Sequence, residues 1–184
     1  GPVDGRAADG AGRRGLADRA CMAGFAARLW RQSRRGEDLG PRHQRQLGFI
    51  GTKLALTHRG RLLTCLRDDF DWIPFPAHWD LPGGGAEPGE TPLDCGLREL
   101  AEEFGLTLAP ERLTGHVFPG WHDPTRQSWL FTGTITAAEI AAIRFGDEGQ
   151  EWRMMPVPEF IAHPRAVPHF RDRVRMVLDL QAPA

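Results

Sequence analysis

The sequence predicts an α/β fold, and three observations lead there. Alternating apolar and polar runs recur between residues 49 and 155, helical periodicity takes over in between and at the end, and the apolar content, 41% of 184 residues, is that of a globular domain with some extension. Strands with helices interspersed favour a mixed layer architecture. In order, Phe49 to His58 and Arg61 to Arg67 read as strands joined by an Arg59-Gly60 turn. Phe70 to His78 is an aromatic loop broken by prolines, and Trp79-Asp80-Leu81 is a short strand. A helix over residues 92–104 follows. Arg112 to Phe118 and Ser128 to Thr136 read as strands, Ala137 to Ile143 as a short helix, and Glu151 to Met155 as a last strand. Arg165 to Leu180 reads as a closing amphipathic helix carrying Val174, Met176, Val177 and Leu180. No internal repeat is found.

The helix over 92–104 has the clearest signals. At about 100° per residue, Leu93, Leu97, Leu100 and Phe104 fall in one stripe. Thr91 suits the N-cap, Pro92 the first helical position and Asp94 the reciprocal partner of a capping box. Gly105 suits the position just past the end. Away from the apolar stripe lie Glu99, Glu102 and Glu103, with Arg98 beside Glu102. Three carboxylates so close repel one another. Divalent cations held between them explain the cluster more simply than a solvated acidic face, because exposed helices usually alternate signs. Hard oxygen donors at short spacing suit Mg²⁺ or Mn²⁺ and not zinc.

Before the helix, Pro82-Gly83-Gly84-Gly85 is a turn with no side chains to keep a ligand off the backbone. Two phosphate motifs fail here. A Walker loop needs Gly-Lys-Ser/Thr, and the chain's single lysine is Lys53; the spacing of the three glycines does not fit a dinucleotide fingerprint.

Gly84, five residues, Glu90, seven residues, Arg98-Glu99-Leu100, one residue, Glu102-Glu103, one residue and Gly105-Leu106 form a gapped pattern of nine positions over residues 84–106. That stretch resembles the signature of the Nudix hydrolases, MutT-like enzymes, at every defining position. The resemblance implies an α/β/α sandwich with a mixed sheet over residues 46–184. It implies Mg²⁺-dependent hydrolysis (Mn²⁺ as substitute) of a diphosphate linked to a nucleoside, giving two phosphorylated products. Glu99, Glu102 and Glu103 become metal ligands, joined by the Gly83 carbonyl, with Glu99 and Glu103 one turn apart as the central pair. Arg98 and Glu90 become supports that hold the loop, with Gly84, against the helix. A further acid is expected from Asp147-Glu148-Gly149-Gln150-Glu151, similar to a metal-binding loop of MutT-like members. Glu148 is preferred as added ligand or general base and Glu151 stands second.

Substrate features are sparser. Trp72, Phe75 and Trp79 cluster before the glycine turn and are candidates for stacking on a base; Trp121 and His122 sit in a later loop. Gly85 stands where some nucleotide-sanitising relatives carry Lys, and no Asn lies in the Arg165 to Phe170 stretch. The extra motifs of the coenzyme A and ADP-ribose branches are not matched.

Charge is uneven. Residues 1–45 carry net +5 and residues 46–184 net −6. The first forty-five residues read as a basic, partly disordered extension, with a helix expected over Leu16 to Arg35. Gly1-Pro2 without an initiator Met reads as a processing scar or fragment boundary, with Met22 as another start. The acidic catalytic half repels a long polyanion, so a small soluble nucleotide is expected as substrate in preference to nucleic acid. No apolar run is long enough for a membrane span. Three unpaired-looking cysteines suit the cytoplasm. A homodimer is compatible with the resemblance. Two other readings stand beside the enzyme: a catalytically inactive Nudix fold that senses nucleotide, which the intact glutamates disfavour, and an active enzyme whose basic arm contacts RNA or protein.

Overall fold

The structure, a computed structural model, describes residues 48–179. The basic extension, its expected helix and Leu180 lie outside the described residues. Six strands form one mixed sheet: β1 (Phe49–His58), β2 (Arg61–Leu66), β3 (Trp79–Asp80), β4 (Thr114–Pro119), β5 (Gln127–Thr134) and β6 (Glu151–Pro156). The helices are α1 (Pro92–Phe104), α2 (Ala137–Ala141), α3 (Val157–Ala162) and α4 (Pro168–Asp179). The sheet runs β3-β2-β1-β5-β4, with β6 on the other edge of β2. β1 and β5 are parallel, and the remaining pairs antiparallel.

The period of two along β1 sorts its side chains to opposite faces. Leu54 and Leu56 pack with Leu63, Leu100, Phe104 and Phe131 under α1. Ala55 packs with Leu62, Leu130, Met155, Phe160, Val174 and Val177 under α3 and α4. Helices thus cover both faces, which is the α/β/α sandwich. Fully burying side chains such as Leu100 and Phe104 stabilises the docking of α1 by about 1.5–3 kcal/mol each.

β1 and β2 pair only beside their turn, at Thr57–Leu62 and His58–Arg61. Beyond it they part, and residues 79–86 fill the fork. Trp79 and Asp80 pair with β2. The residues that follow bond to β1: Leu54 N–H donates to the Pro82 carbonyl (2.9 Å), Thr52 N–H to the Gly84 carbonyl (3.0 Å), and Ala86 N–H to the Ile50 carbonyl (3.2 Å). This fork brings the glycine turn into the middle of the sheet, directly before α1.

Element boundaries differ from the sequence reading in a few places. β2 stops at Leu66, and Arg112 closes a 3₁₀ turn (Pro110–Arg112) instead of opening β4. β5 ends at Thr134 because Thr136 is needed as the N-cap of α2, where it forms a full capping box with Glu139. At α1 the box is half made: Thr91 Oγ1 accepts from Asp94 N–H, but the Asp94 carboxylate takes the Thr91 hydroxyl and not its backbone N–H. α3 was not foreseen, since six residues are too short to show a helical period. α4 starts at Pro168, after residues 165–167 run beside β3, and Met176 faces solvent, 42% exposed.

Candidate active site

Gly83 has φ +120°, and a Cβ there would lie 2.2 Å from the Thr52 carbonyl oxygen. Only glycine lets the loop lie this flat on β1. At Gly84 a Cβ would lie 2.6 Å from the Glu99 carboxyl, so the space a side chain would take is filled by a carboxylate. Arg98 fastens loop to helix: its Nε donates to Glu90 Oε1 (2.6 Å), Nη1 to Glu99 Oε1 (2.8 Å) and Nη2 to the Gly85 carbonyl (3.0 Å). Glu90 also accepts from the Glu87 N–H at 2.9 Å. The planar fork of Arg reaches these partners at once, which an ammonium does not.

Glu99, Glu103, the three glycines, Asp147 and Glu148 line one cleft of about 870 Å³. Glu103 is half-buried and its Oε2 accepts from the Gly83 N–H at 2.7 Å. Burial pushes its carboxyl up to about 7, outweighing the Lys53 charge and the Gly83 hydrogen bond that pull it down. A cation beside it would reverse that cost. Glu102 is placed differently: it is exposed, lies outside the cleft lining and meets Arg98 at 3.2 Å. Among the described residues, no three His, Cys, Asp or Glu side chains converge closely enough to enclose an ion. Mg²⁺ does not need that, because it is usually held by one or two carboxylates, waters and substrate phosphates. Glu99 and Glu103 fit such a site. The Gly83 carbonyl accepts from Lys53.

Lys53 on β1 also donates to Asp80 Oδ2 and to the Leu81 carbonyl, both at 3.0 Å. Arg67 reaches the same Asp80 oxygen at 2.9 Å. Burial alone would push Asp80 up; Lys53 and Arg67 hold it below the ordinary carboxylate range. Burial alone would push Lys53 down, and Asp80 and Glu103 hold it above its ordinary value. This triad was not identified from the sequence, since its members are far apart in the chain and meet only through the fork.

Glu148 is fixed from beneath. Asp68 accepts from the Gly149 N–H (3.1 Å), and Gln150 N–H donates to the Leu66 carbonyl (2.8 Å). The turn therefore hangs off the end of β2 with Glu148 exposed at the cleft, while Glu151 starts β6 outside it.

Aromatic residues line the cleft as well. Phe75 packs against Trp121 at 5.1 Å and His169 at 5.6 Å, and Trp121 lies 5.5 Å from His169. Phe75 holds φ +53°, a conformation rare for a bulky residue. Burial and the nearby Arg173 charge pull the His169 imidazole down to about 3. Arg173 is buried, donates to Ser128 Oγ (2.9 Å) and the Pro119 carbonyl (2.8 Å), and lies over Phe118 and Phe170. Of the three aromatics expected before the glycine turn, only Phe75 lines the cleft. Trp79 is buried in the core under α4, because strand alternation turns it there, and Trp72 is 75% exposed, stacked on Phe70. His169, Phe170 and Arg173 were missed; their signal was the spacing of an aromatic and a cation on the apolar side of α4.

The family and relatives that this sandwich and its cleft match are hydrolases of phosphoric anhydrides. Comparison with known proteins makes that specific. The chain belongs to the NUDIX family: the NUDIX domain model matches residues 52–176. An RNA pyrophosphohydrolase of Erythrobacter litoralis is 31% identical over 115 residues, covering 52% of this chain and 68% of the relative. The human diphosphoinositol polyphosphate phosphohydrolase 3-alpha is 39% identical over 62 residues, covering 34% of this chain and 37% of the relative. Among solved structures, a MutT protein from Methanosarcina mazei superposes with a TM-score of 0.59 at 20% identity, covering 74% of this chain and 97% of the other. That likeness supports the fold. No helix among the described residues is long and apolar enough to cross a membrane.

Proposed function

We propose that this chain is a Mg²⁺-dependent pyrophosphohydrolase that cleaves the diphosphate linkage of a small nucleoside di- or triphosphate derivative. One observation carries the reading: Glu99 and Glu103 meet the glycine loop in a cleft that Phe75, Trp121 and His169 also line. Anionic oxygens and aromatic faces in one cleft suit a ligand with a phosphate chain and a flat ring. Glu99 and Glu103 would hold the cation, which when bound neutralises phosphate charge and acidifies water. Glu148, at the cleft edge, takes the proton as water attacks phosphorus and the anhydride P–O bond breaks. Glu90, Arg98 and Gly84 keep the Glu99 carboxylate against the loop. Arg173 and His169 orient the far end of the substrate.

The alternative, a long RNA with a 5′-triphosphate, draws on the name of the Erythrobacter relative. The net charge of −6 over residues 46–184 weighs against it. The test is a panel with Mg²⁺: NTPs, oxidised NTPs, ADP-ribose, nucleotide sugars, dinucleoside polyphosphates, diphosphoinositol polyphosphate and 5′-triphosphorylated RNA, each with the unaltered chain and Glu103→Gln. One small nucleotide is expected to be cleaved with Mg²⁺ and not by Glu103→Gln. Turnover of that substrate by Glu103→Gln at the unaltered rate would overturn the assignment, and preference for RNA would overturn the substrate class.

A further inference from the structure

Of the Lys and Arg side chains that line the cleft, Lys53 and Arg67 face Asp80. Arg173 on α4 lines it too, is 7% exposed, and pairs with no carboxylate among the described residues. Burial alone moves its guanidinium, down to about 10, which leaves it charged at neutral pH. Buried charges are ordinarily paired. A guanidinium has five N–H donors. One reaches Ser128 Oγ (2.9 Å) and one the Pro119 carbonyl (2.8 Å), which ties α4 to β5 and β4. The other donors have no partner among the described residues. The guanidinium lies over Phe118, 5.0 Å from the ring centroid, and Phe170, at 5.5 Å. Phe170 packs on His169 at 4.2 Å, and His169 in turn meets Phe75 and Trp121. Since burial pulls His169 down to about 3, its imidazole is neutral and brings no second charge to this cluster.

We propose that Arg173 is a specificity-determining residue that selects a heterocyclic base bearing a ring oxo group over one bearing an amino group at the same position. The inference rests on the nucleotide reading above and names the class of base. Aromatic faces take a flat ring, and the donors that Arg173 has to spare call for acceptors on that ring's edge. An oxo group supplies one, and in an oxopurine the neighbouring ring nitrogen supplies another, the pairing by which an arginine fork reads guanine. An amino group turns N–H toward N–H and leaves the buried donors unmet. A phosphate or carboxylate also accepts, but two phenyl faces and a neutral imidazole are a poor medium for an anion stripped of its water, and a carbonyl loses far less on entry.

The test uses three purine nucleosides with the full chain: inosine (6-oxo), nebularine (unsubstituted) and adenosine (6-amino). Binding is measured without metal by ligand-observed NMR, so it depends on neither the cation nor hydrolysis. Inosine is expected to bind tightest and adenosine weakest, with at least about a tenfold difference between them. Equal binding of the three, or none, overturns the proposal. Inorganic phosphate that displaces inosine shows an anion site and overturns it as well. The second arm is Arg173→Gln, whose amide carries an acceptor beside its donors. The ratio of inosine to adenosine affinity is expected to fall to near one. A merely structural arginine would weaken all three nucleosides alike and keep the ratio, which overturns the proposal. Should that variant fail to fold, the series with the unaltered chain decides. The matching triphosphates with Mg²⁺ separate the two claims. A chain that prefers inosine yet cleaves no triphosphate fails the hydrolase reading and keeps the base selection; one that cleaves the 6-oxo and 6-amino triphosphates with equal kcat/KM keeps the hydrolase reading and sinks the inference.

Discussion

Replacing Asp80 with Asn removes the one anion that Lys53 and Arg67 share, and the cost follows from what each cation does next. Asp80 is 2% exposed and accepts three hydrogen bonds, from Lys53, Arg67 and the Leu81 N–H at 2.7 Å. An amide is neutral and offers one acceptor oxygen in place of two. Arg67 is partly exposed and keeps a bond to the Pro74 carbonyl, so water compensates it. Lys53 keeps two carbonyls but has lost its nearest anion. Breaking one side of a buried pair costs about 3–5 kcal/mol, and partial relief at Arg67 puts the expectation near the lower end. That is a large part of the roughly 5–15 kcal/mol by which domains are stable. Urea unfolding followed by circular dichroism measures it directly. The pH dependence supplies a second check. Because the folded carboxyl lies below its ordinary value, the unfolded chain takes the proton first as pH falls. The stabilisation is complete above the ordinary Asp range, about pH 4, and is lost as pH drops through the depressed folded value. The gap between Asp80→Asn and the unaltered chain should therefore close in acid. A cost under about 1 kcal/mol at pH 7, or a gap independent of pH, would refute the account of a shared buried anion.

Further outcomes are expected at separate positions. Gly84→Ala places a methyl where the Glu99 carboxyl now lies; a flexible side chain can yield, so the melting temperature should hold while turnover falls about a hundredfold from a displaced ligand. Trp121→Ala should raise KM for a nucleotide by the equivalent of about 1–3 kcal/mol with little change in kcat, because it removes one face of the aromatic wall; steady-state kinetics decide it. Glu139 is drawn down to about 2 by the Arg112 hydrogen bonds and the Thr136 N–H. Being partly exposed, it should contribute only about 0.5–1 kcal/mol. Glu139→Gln is expected to lose that above pH 4.5, and the two chains to converge as pH falls through 2, as read by thermal melts across pH.

Local chemistry made some of this legible in advance. α1 was readable to its ends because Thr91, Pro92 and Gly105 act within one turn of themselves, and the stripe of Leu100 and Phe104 needed only a period. The Arg98–Glu90 clasp was expected from the family resemblance. What depended on the fork was hidden. Lys53, Asp80 and Arg67 look unremarkable until β1 and β2 separate around residues 79–86. The aromatic residues show the same limit: Trp72, Phe75 and Trp79 are neighbours in sequence, yet a turn, a left-handed residue and a strand send them to solvent, cleft and core.

The wedge at residues 79–86 has one more implication. Its hydrogen bonds to Thr52 and Leu54 belong to the central strand, not to a peripheral flap, so this loop has no cheap way to lift off alone. Variation in what the cleft admits can then be written in the outer rim, at Asp68 to Pro76 and Gly120 to Arg126, without disturbing the floor beneath it.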